Sequence, residues 1–191
     1  MDYTKYEVDL LLFQRHGAFL KQIPKQVNVV EEHAIKVLFQ SVFSTLSMKK
    51  KRFYDFYLAF IRCFASMVEK IRWKQFDQVR LHRWMDYYSA CIPHNPIKYD
   101  VAIAYAGGET AYYMIDKVNS DRKVYFFHSD YAKINIDADL ERRYVDQVNL
   151  IVTISDVCKQ SLDILFPEKK EDIIVLNNLS SSKLIWKLAQ E

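Results

Sequence analysis

Three polar residues end an otherwise apolar stretch in the second half of the chain. In KVYFFHSDY, residues 123–131, a run of apolar and aromatic residues leads directly into His128, Ser129 and Asp130. A neutral imidazole or a carboxylate within reach of a hydroxyl group can take its proton as a new bond forms. The stretch is therefore a candidate site for acid–base chemistry or for binding a polar ligand.

Polar residues also follow two other apolar runs in this half of the chain. After residues 99–106, YDVAIAYA, come Gly107, Gly108, Glu109 and Thr110, and residues 150–155, LIVTIS, end in Ser155. Paired glycines allow a tight turn from strand to helix and leave backbone N–H groups open to an anion. A serine in front of a helical pattern is equally suited to cap that helix. A ligand-binding role and a purely structural role both stay open for these residues.

Buried strands joined by helices would bring these residues together. Four apolar runs alternate with segments of helical length, at residues 99–106, 123–128, 150–155 and 172–177. Consecutive apolar residues favour strands buried on both faces, and helical spacers favour right-handed crossovers between parallel strands. We therefore predict an α/β, Rossmann-like parallel sheet with flanking helices. In such sheets ligands bind at the carboxyl ends of the strands, which places His128 and Asp130 in a shared crevice.

The first half of the chain has a different pattern. Residues 6–13 and 27–30 indicate strands, and residues 31–92 predict a helical layer inserted in this half, in which apolar residues recur at three- and four-residue spacing. Ten basic and three acidic residues lie between Met48 and Trp84, starting with Lys49, Lys50, Lys51 and Arg52. Basic residues interleaved with aromatic ones are typical of helices on an anionic membrane surface. An ordinary helix with solvated lysines and arginines explains the same pattern.

Composition argues against several classes of protein. The net charge of +3 and the absence of a recognition motif argue against nucleic-acid binding, and three glycines are too few for a dinucleotide or Walker loop. The three cysteines lack metal-ligand spacing and no Asp-x-Asp or His-rich cluster stands at a strand end, so no metal is predicted. Asp55 and Arg62 interrupt the most apolar segment, which argues against a membrane span. An acidic N-terminus without a signal-peptide pattern predicts a cytoplasmic location.

The ordered segments of the second half resemble the N-terminal domain of family-four glycosyltransferases, which have the GT-B architecture of two Rossmann-like domains. The resemblance covers about residues 97–182 and rests on KYDVAIAYAGGETAYYMIDKV, RKVYFFHSDY, LERRYVDQVN, LIVTISDVCKQSLDILFPE and DIIVLNNLSS. In that family a strand ends in histidine with an acidic residue one or two positions later, as His128 and Asp130 do. The family's helix-opening serine matches Ser155. Its Val-Ile-Pro-Asn segment matches residues 175–178, with Asn177 in place of proline.

The resemblance implies a transferase that moves a sugar from a nucleotide-sugar donor to a polysaccharide or glycolipid acceptor. It implies catalytic roles for His128 and Asp130, with His128 as base or as positioning group. It implies acceptor binding by Gly107, Gly108, Glu109, Thr110, Ser155 and Asn178. The implied partners are a sugar or lipid-linked acceptor and an anionic surface on the inner face of a membrane, with no covalently bound cofactor.

Two parts of the family's fold have no counterpart in the sequence. The family's first strand, glycine-rich loop and helix would precede the strand at 6–13, and its nucleotide-binding domain would follow Asn178. We therefore expect residues 1–191 to form one incomplete Rossmann-like domain, inactive by itself, that associates with a second copy or with a donor domain. The alternative is a non-catalytic membrane- or partner-binding module that works with a separate donor-domain subunit.

Overall fold

The computed structural model describes residues 2–14, 17–39, 53–134 and 137–178, together with residues 186, 189 and 190. The chain divides into two compact units, Met1–Asn95 and Pro96–Glu191. Both units combine helices with parallel strands, which confirms the predicted α/β fold class. That the two units belong to one incomplete Rossmann-like domain stays a prediction.

The Met1–Asn95 unit joins a two-stranded parallel sheet to a group of helices. Strands β1 (Val8–Leu11) and β2 (Val27–Val30) pair with each other and lie within the predicted strands. The helices are α1 (His33–Phe39), α2 (Phe53–Arg72), α3 (Phe76–Arg83) and α4 (Ser89–Cys91), with a π-helical turn at Trp84–Tyr88 between α3 and α4. They occupy the described part of the predicted helical layer.

Helix α2 buries polar side chains and exposes aromatic ones. Its buried residues include Asp55 and Glu69, together with Leu58 and Ala65. Large apolar residues recur at three- and four-residue spacing on its exposed side: Phe53, Phe56, Tyr57, Phe60, Phe64, Met67 and Ile71. Residues at this spacing share one face of a helix, and we call this set the α2 stripe. None of the described helices is long and apolar enough to cross a bilayer.

The Pro96–Glu191 unit contains a four-stranded parallel sheet. Its strands follow one another in chain order, as β3 (Lys98–Ala104), β4 (Asn119–Phe127), β5 (Leu150–Thr153) and β6 (Ile173–Val175). They alternate with α5 (Glu109–Lys117), α6 (Ala138–Val145) and α7 (Asp156–Leu165). The four apolar runs predicted as strands are therefore confirmed.

Local sequence determines where each of these helices begins. Gly108 precedes α5 at a φ of 72°, which other residue types rarely adopt. The carboxylate of Asp137 accepts hydrogen bonds from two backbone N–H groups at the start of α6, and Ser155 accepts one from Cys158 at the start of α7. The capping role considered for Ser155 is thus confirmed.

The strands at the two edges of this sheet are buried on one face only. Ala102, Ala104 and Ile173 are buried, whereas their neighbours Ile103 and Ile174 are 56% and 44% exposed. Successive strand residues point to opposite faces. Because the strands follow chain order, right-handed crossovers place every connecting helix on the same side of the sheet. The expectation that these strands are buried on both faces is therefore wrong for β3 and β6.

Candidate functional site

The carboxyl ends of β3 to β6 lie at one edge of the sheet, because all four strands are parallel. The predicted site residues follow these strands: Gly107, Gly108, Glu109 and Thr110 after β3, His128 and Asp130 after β4, Ser155 after β5, and Asn178 after β6. Open α/β sheets bind ligands at this edge, at the point where the strand order reverses, and the four described strands run in chain order without such a reversal. Ligand binding by these residues stays a prediction.

The imidazole of His128 is half-buried beside two aromatic rings. Its centroid lies 4.7 Å from that of Tyr105 and 5.9 Å from that of Phe126. The two aromatic rings also contact each other, with centroids 5.0 Å apart. Nε2 of His128 is buried and has no hydrogen-bond partner within the described part of the chain. A buried nitrogen without a partner destabilises a fold, so a hydrogen bond from a ligand hydroxyl would stabilise this group once the surrounding side chains move to expose it.

Asp130 is held by protein contacts at both carboxylate oxygens. The hydroxyl of Ser161 on α7 donates to Oδ1 at 2.8 Å, and Nζ of Lys133 lies 3.2 Å from Oδ2. The carboxylate therefore ties the loop after β4 to helix α7. This geometry favours a role in positioning that loop and its neighbour His128, while the catalytic role implied by the resemblance stays a prediction.

The turn between β3 and α5 approaches two tyrosine hydroxyls closely. A β-carbon at position 107 would lie 3.2 Å from Oη of Tyr131 and 3.4 Å from Oη of Tyr125. Gly107 therefore allows a close approach, and Gly108 supplies the positive φ described above. Glu109 is buried at the start of α5 and Thr110 is half-buried. Both glycines thus have a structural explanation that requires no anion.

A buried glutamate that sequence reasoning missed lies close to this turn. Glu141 on α6 is 1% exposed and accepts a hydrogen bond from Tyr112 at 2.6 Å on Oε2 and one from Tyr125 at 3.0 Å on Oε1. Burial, followed by the charge of Glu141, raises the pKa of both tyrosines well above the usual value. Both hydroxyls therefore stay protonated as donors. The available signal was Tyr125 within an otherwise apolar strand, because a buried tyrosine hydroxyl needs a partner.

The remaining predicted residues have separate surroundings. The hydroxyl of Ser155 accepts the N–H of Cys158 at 3.3 Å, and this cap is its described contact. Asn178 is exposed beyond the end of β6. The predicted membrane-surface residues, Lys49, Lys50, Lys51 and Arg52, lie outside the described residues.

No protein-family model, curated protein or solved structure matches the chain. The resemblance to family-four glycosyltransferases therefore stays a prediction from the sequence segments.

Proposed function

We propose that the Pro96–Glu191 unit is the acceptor-binding half of a glycosyltransferase that moves a sugar from a nucleotide-sugar to a polysaccharide or glycolipid. One observation supports this most directly: His128 offers a buried Nε2 without a partner among the described residues, at the carboxyl edge of a parallel sheet. In open α/β sheets this edge is the usual ligand site. The order of the sequence segments in the second half supports the same assignment.

His128 is the residue that contacts the reacting sugar in this proposal. Its imidazole takes the proton of the acceptor hydroxyl or holds a sugar hydroxyl in place. The exposed ring of Tyr105, which is 64% exposed, gives an apolar surface beside the imidazole against which a sugar can pack. Asp130, held by Ser161 and Lys133, keeps the loop that carries the histidine in position.

The nucleotide-sugar donor binds outside this unit in the proposed enzyme. A second Rossmann-like domain, in the same polypeptide or in a separate subunit, supplies that site. The chain needs no covalently bound cofactor for this reaction. A lipid-linked acceptor would bring the enzyme to the inner face of the membrane, where it acts as a peripheral protein.

The mass of the native protein in its source cells tests this proposal first. An antibody against the Pro96–Glu191 unit should detect a product roughly twice as large as the 191-residue chain if a donor domain belongs to the same polypeptide. A product of the present size that co-purifies with no donor-domain subunit would contradict the proposal.

Substitution of His128 tests the chemistry in the complete enzyme. His128→Ala should lower kcat by roughly 10²- to 10⁴-fold with a nucleotide-sugar and a lipid-linked acceptor, because a general base or a positioning contact is lost. The control is His94→Ala, since His94 is exposed in the other unit. Undiminished transfer by His128→Ala would remove His128 from the site.

A second function, that of a non-catalytic membrane- or partner-binding module, is favoured by the α2 stripe. Phe53, Phe60 and Ile71 are 91%, 63% and 79% exposed on one face of α2. Large apolar patches on a protein surface mark interaction sites, and the basic run 49–52 directly precedes the helix in sequence. An anionic lipid surface fits both features.

Vesicle binding separates this second function from the first. The chain should sediment with phosphatidylserine-containing vesicles, and the double variant Phe60→Ser with Met67→Ser should bind at least tenfold more weakly, because each buried side chain contributes roughly 1.5–3 kcal/mol. Phe19→Ser is the matched control, since Phe19 is 64% exposed outside the stripe. Equal binding by all three proteins would exclude the α2 stripe as a membrane surface.

A further inference from the structure

A compact group of potential metal ligands lies within the Met1–Asn95 unit. Glu69 in the last turn of α2, His82 on α3 and Asp86 in the π-helical turn each place one ligand atom within 4.8 Å of the others. His82 and Asp86 are one helical turn apart, and Nδ1 of His82 lies 4.0 Å from Oδ2 of Asp86. Single π-helical turns inside helices are frequent at functional sites. The group therefore brings side chains from helix α2, helix α3 and the π-helical turn close together.

Glu69 is the buried member of this group and lacks a full set of contacts. The residue is 0% exposed, and Oε1 lies 3.3 Å from Nη1 of Arg72. Oε2 is buried and has no hydrogen-bond partner among the described residues. A buried carboxylate oxygen without a donor is strongly unfavourable unless a cation or a hydrogen bond compensates for its lost hydration. This oxygen is an independent sign of a ligand.

The imidazole of His82 is oriented before any ligand binds. Its ring stacks on the indole of Trp73, with centroids 4.4 Å apart and an angle of 9° between the planes. The side chain is 13% exposed, and Nε2 is buried without a hydrogen-bond partner in the described part of the chain. In most metal sites a hydrogen bond from the second ring nitrogen fixes the histidine ligand. In His82 the stacking on Trp73 fixes the ring instead.

The guanidinium of Arg72 lies between the two carboxylates, at the position where a metal ion would bind. Its Nη1 lies 3.3 Å from Oε1 of Glu69 and 3.5 Å from Oδ2 of Asp86. The arginine side chain is 53% exposed, so it can turn into solvent while its charge stays hydrated. Its departure would leave two carboxylates and an imidazole facing one point. A divalent ion would compensate this charge more completely than one guanidinium.

We propose that Glu69, His82 and Asp86 bind a divalent transition-metal ion of the zinc class, and that this ion displaces Arg72. One imidazole and two carboxylates form a donor set that Zn²⁺ accepts, with its fourth position open to water. Ligand atoms around tetrahedral zinc lie about 3.3 Å apart, so the three side chains close in slightly on the ion. Mg²⁺ and Ca²⁺ fit poorly because they select oxygen ligands. The bound ion would join the end of α2 to α3.

Zinc titration of the full chain tests the site directly. The Cys63→Ser background removes an exposed thiol that binds metals. In this background the chain should take up one equivalent of Zn²⁺ in competition with a chromophoric chelator. His82→Ala should weaken this binding by about 100-fold. Asp86 is exposed and tolerates substitution, and Asp86→Asn should weaken binding by at least about tenfold. His94→Ala is the control and should bind like the parent. Absence of binding by the parent chain, or binding that both His82→Ala and Asp86→Asn leave unchanged, would overturn the proposal.

Arg72 distinguishes a metal site from a structural ion-pair network. Arg72→Met should tighten Zn²⁺ binding by roughly fivefold, because the competing cation is gone. Co²⁺ bound in place of zinc should show visible d–d absorption without a thiolate charge-transfer band, as nitrogen and oxygen ligands predict. A structural ion-pair network without a metal function predicts no gain in zinc affinity for Arg72→Met, and that result would also overturn the proposal.

Discussion

Each unit of the chain buries a glutamate almost completely, and the two carboxylates differ in how they are satisfied. Glu141 receives a tyrosine hydroxyl at each oxygen, from Tyr112 and Tyr125. Glu69 has Arg72 at one oxygen, and the other has no hydrogen-bond partner among the described residues. A carboxylate with donors on both oxygens stabilises a fold, whereas a buried one with an open oxygen is available to a ligand. The comparison separates a structural cluster from a candidate binding site.

Replacing each glutamate by leucine should change the stability of the protein very differently at the two sites, and the loss should be largest at Glu141. Glu141→Leu should lower the free energy of unfolding by about 3 kcal/mol, because two buried tyrosine hydroxyls lose their acceptor at once. Glu141→Gln retains one carbonyl acceptor and should lose less. Urea unfolding followed by circular dichroism measures both values. A loss below about 1 kcal/mol for Glu141→Leu would show that the Tyr112 and Tyr125 hydrogen bonds contribute little.

Alkaline pH should weaken the Glu141 cluster. The pKa values of Tyr112 and Tyr125 are raised in the folded state, so stability is fully present below about pH 10 and is lost as pH rises from there toward the folded-state pKa values. Each tyrosine should lower the free energy of unfolding by about 1.4 kcal/mol per pH unit in this window. Unfolding measured from pH 9 to 11.5 should show a shallower slope for Tyr125→Phe than for the parent. The exposed control Tyr6→Phe should leave the slope unchanged.

Glu69 should show the smallest effect in metal-free protein. Glu69→Leu removes a buried charge with one open oxygen, while the half-exposed Arg72 can rehydrate, so the free energy of unfolding should change by less than about 1 kcal/mol. Urea unfolding in the presence of a chelator is the measurement. A loss as large as that of Glu141→Leu would remove the contrast and make Glu69 part of a structural ion pair.

The sequence predicts where the helices and strands lie better than it predicts which of their faces are buried. Apolar runs locate the strands because backbone pairing and burial act on consecutive residues, and Ser155 marks the start of α7 because capping is local. The open faces of β3 and β6 depend on which side the crossovers take. That side follows from strand order, which hydrophobicity alone does not reveal.

Glu69 and Glu141 show why sites are harder to predict than elements. Glu141 lies in a helix whose other charged residues are mostly solvated, and nothing in its local sequence distinguishes it. Glu69 and His82 are on different helices, so their spacing matches no metal motif. The prediction that no metal binds rested on the strand ends and the cysteines alone. The edge of the sheet was predictable because every parallel strand ends there. The contacts of His128 with Tyr105 and Phe126 were not.

The order of the strands in the Pro96–Glu191 unit also bears on how the protein is made. Each strand from β4 to β6 pairs with the strand synthesised immediately before it. Contacts between segments near in sequence form faster than contacts between distant ones, and domains begin to fold from their N-terminal side during synthesis. The sheet can therefore grow by one strand and one helix at a time as the chain leaves the ribosome. No strand of this sheet has to wait for a distant partner, which shortens the time that unpaired strand edges are open to aggregation.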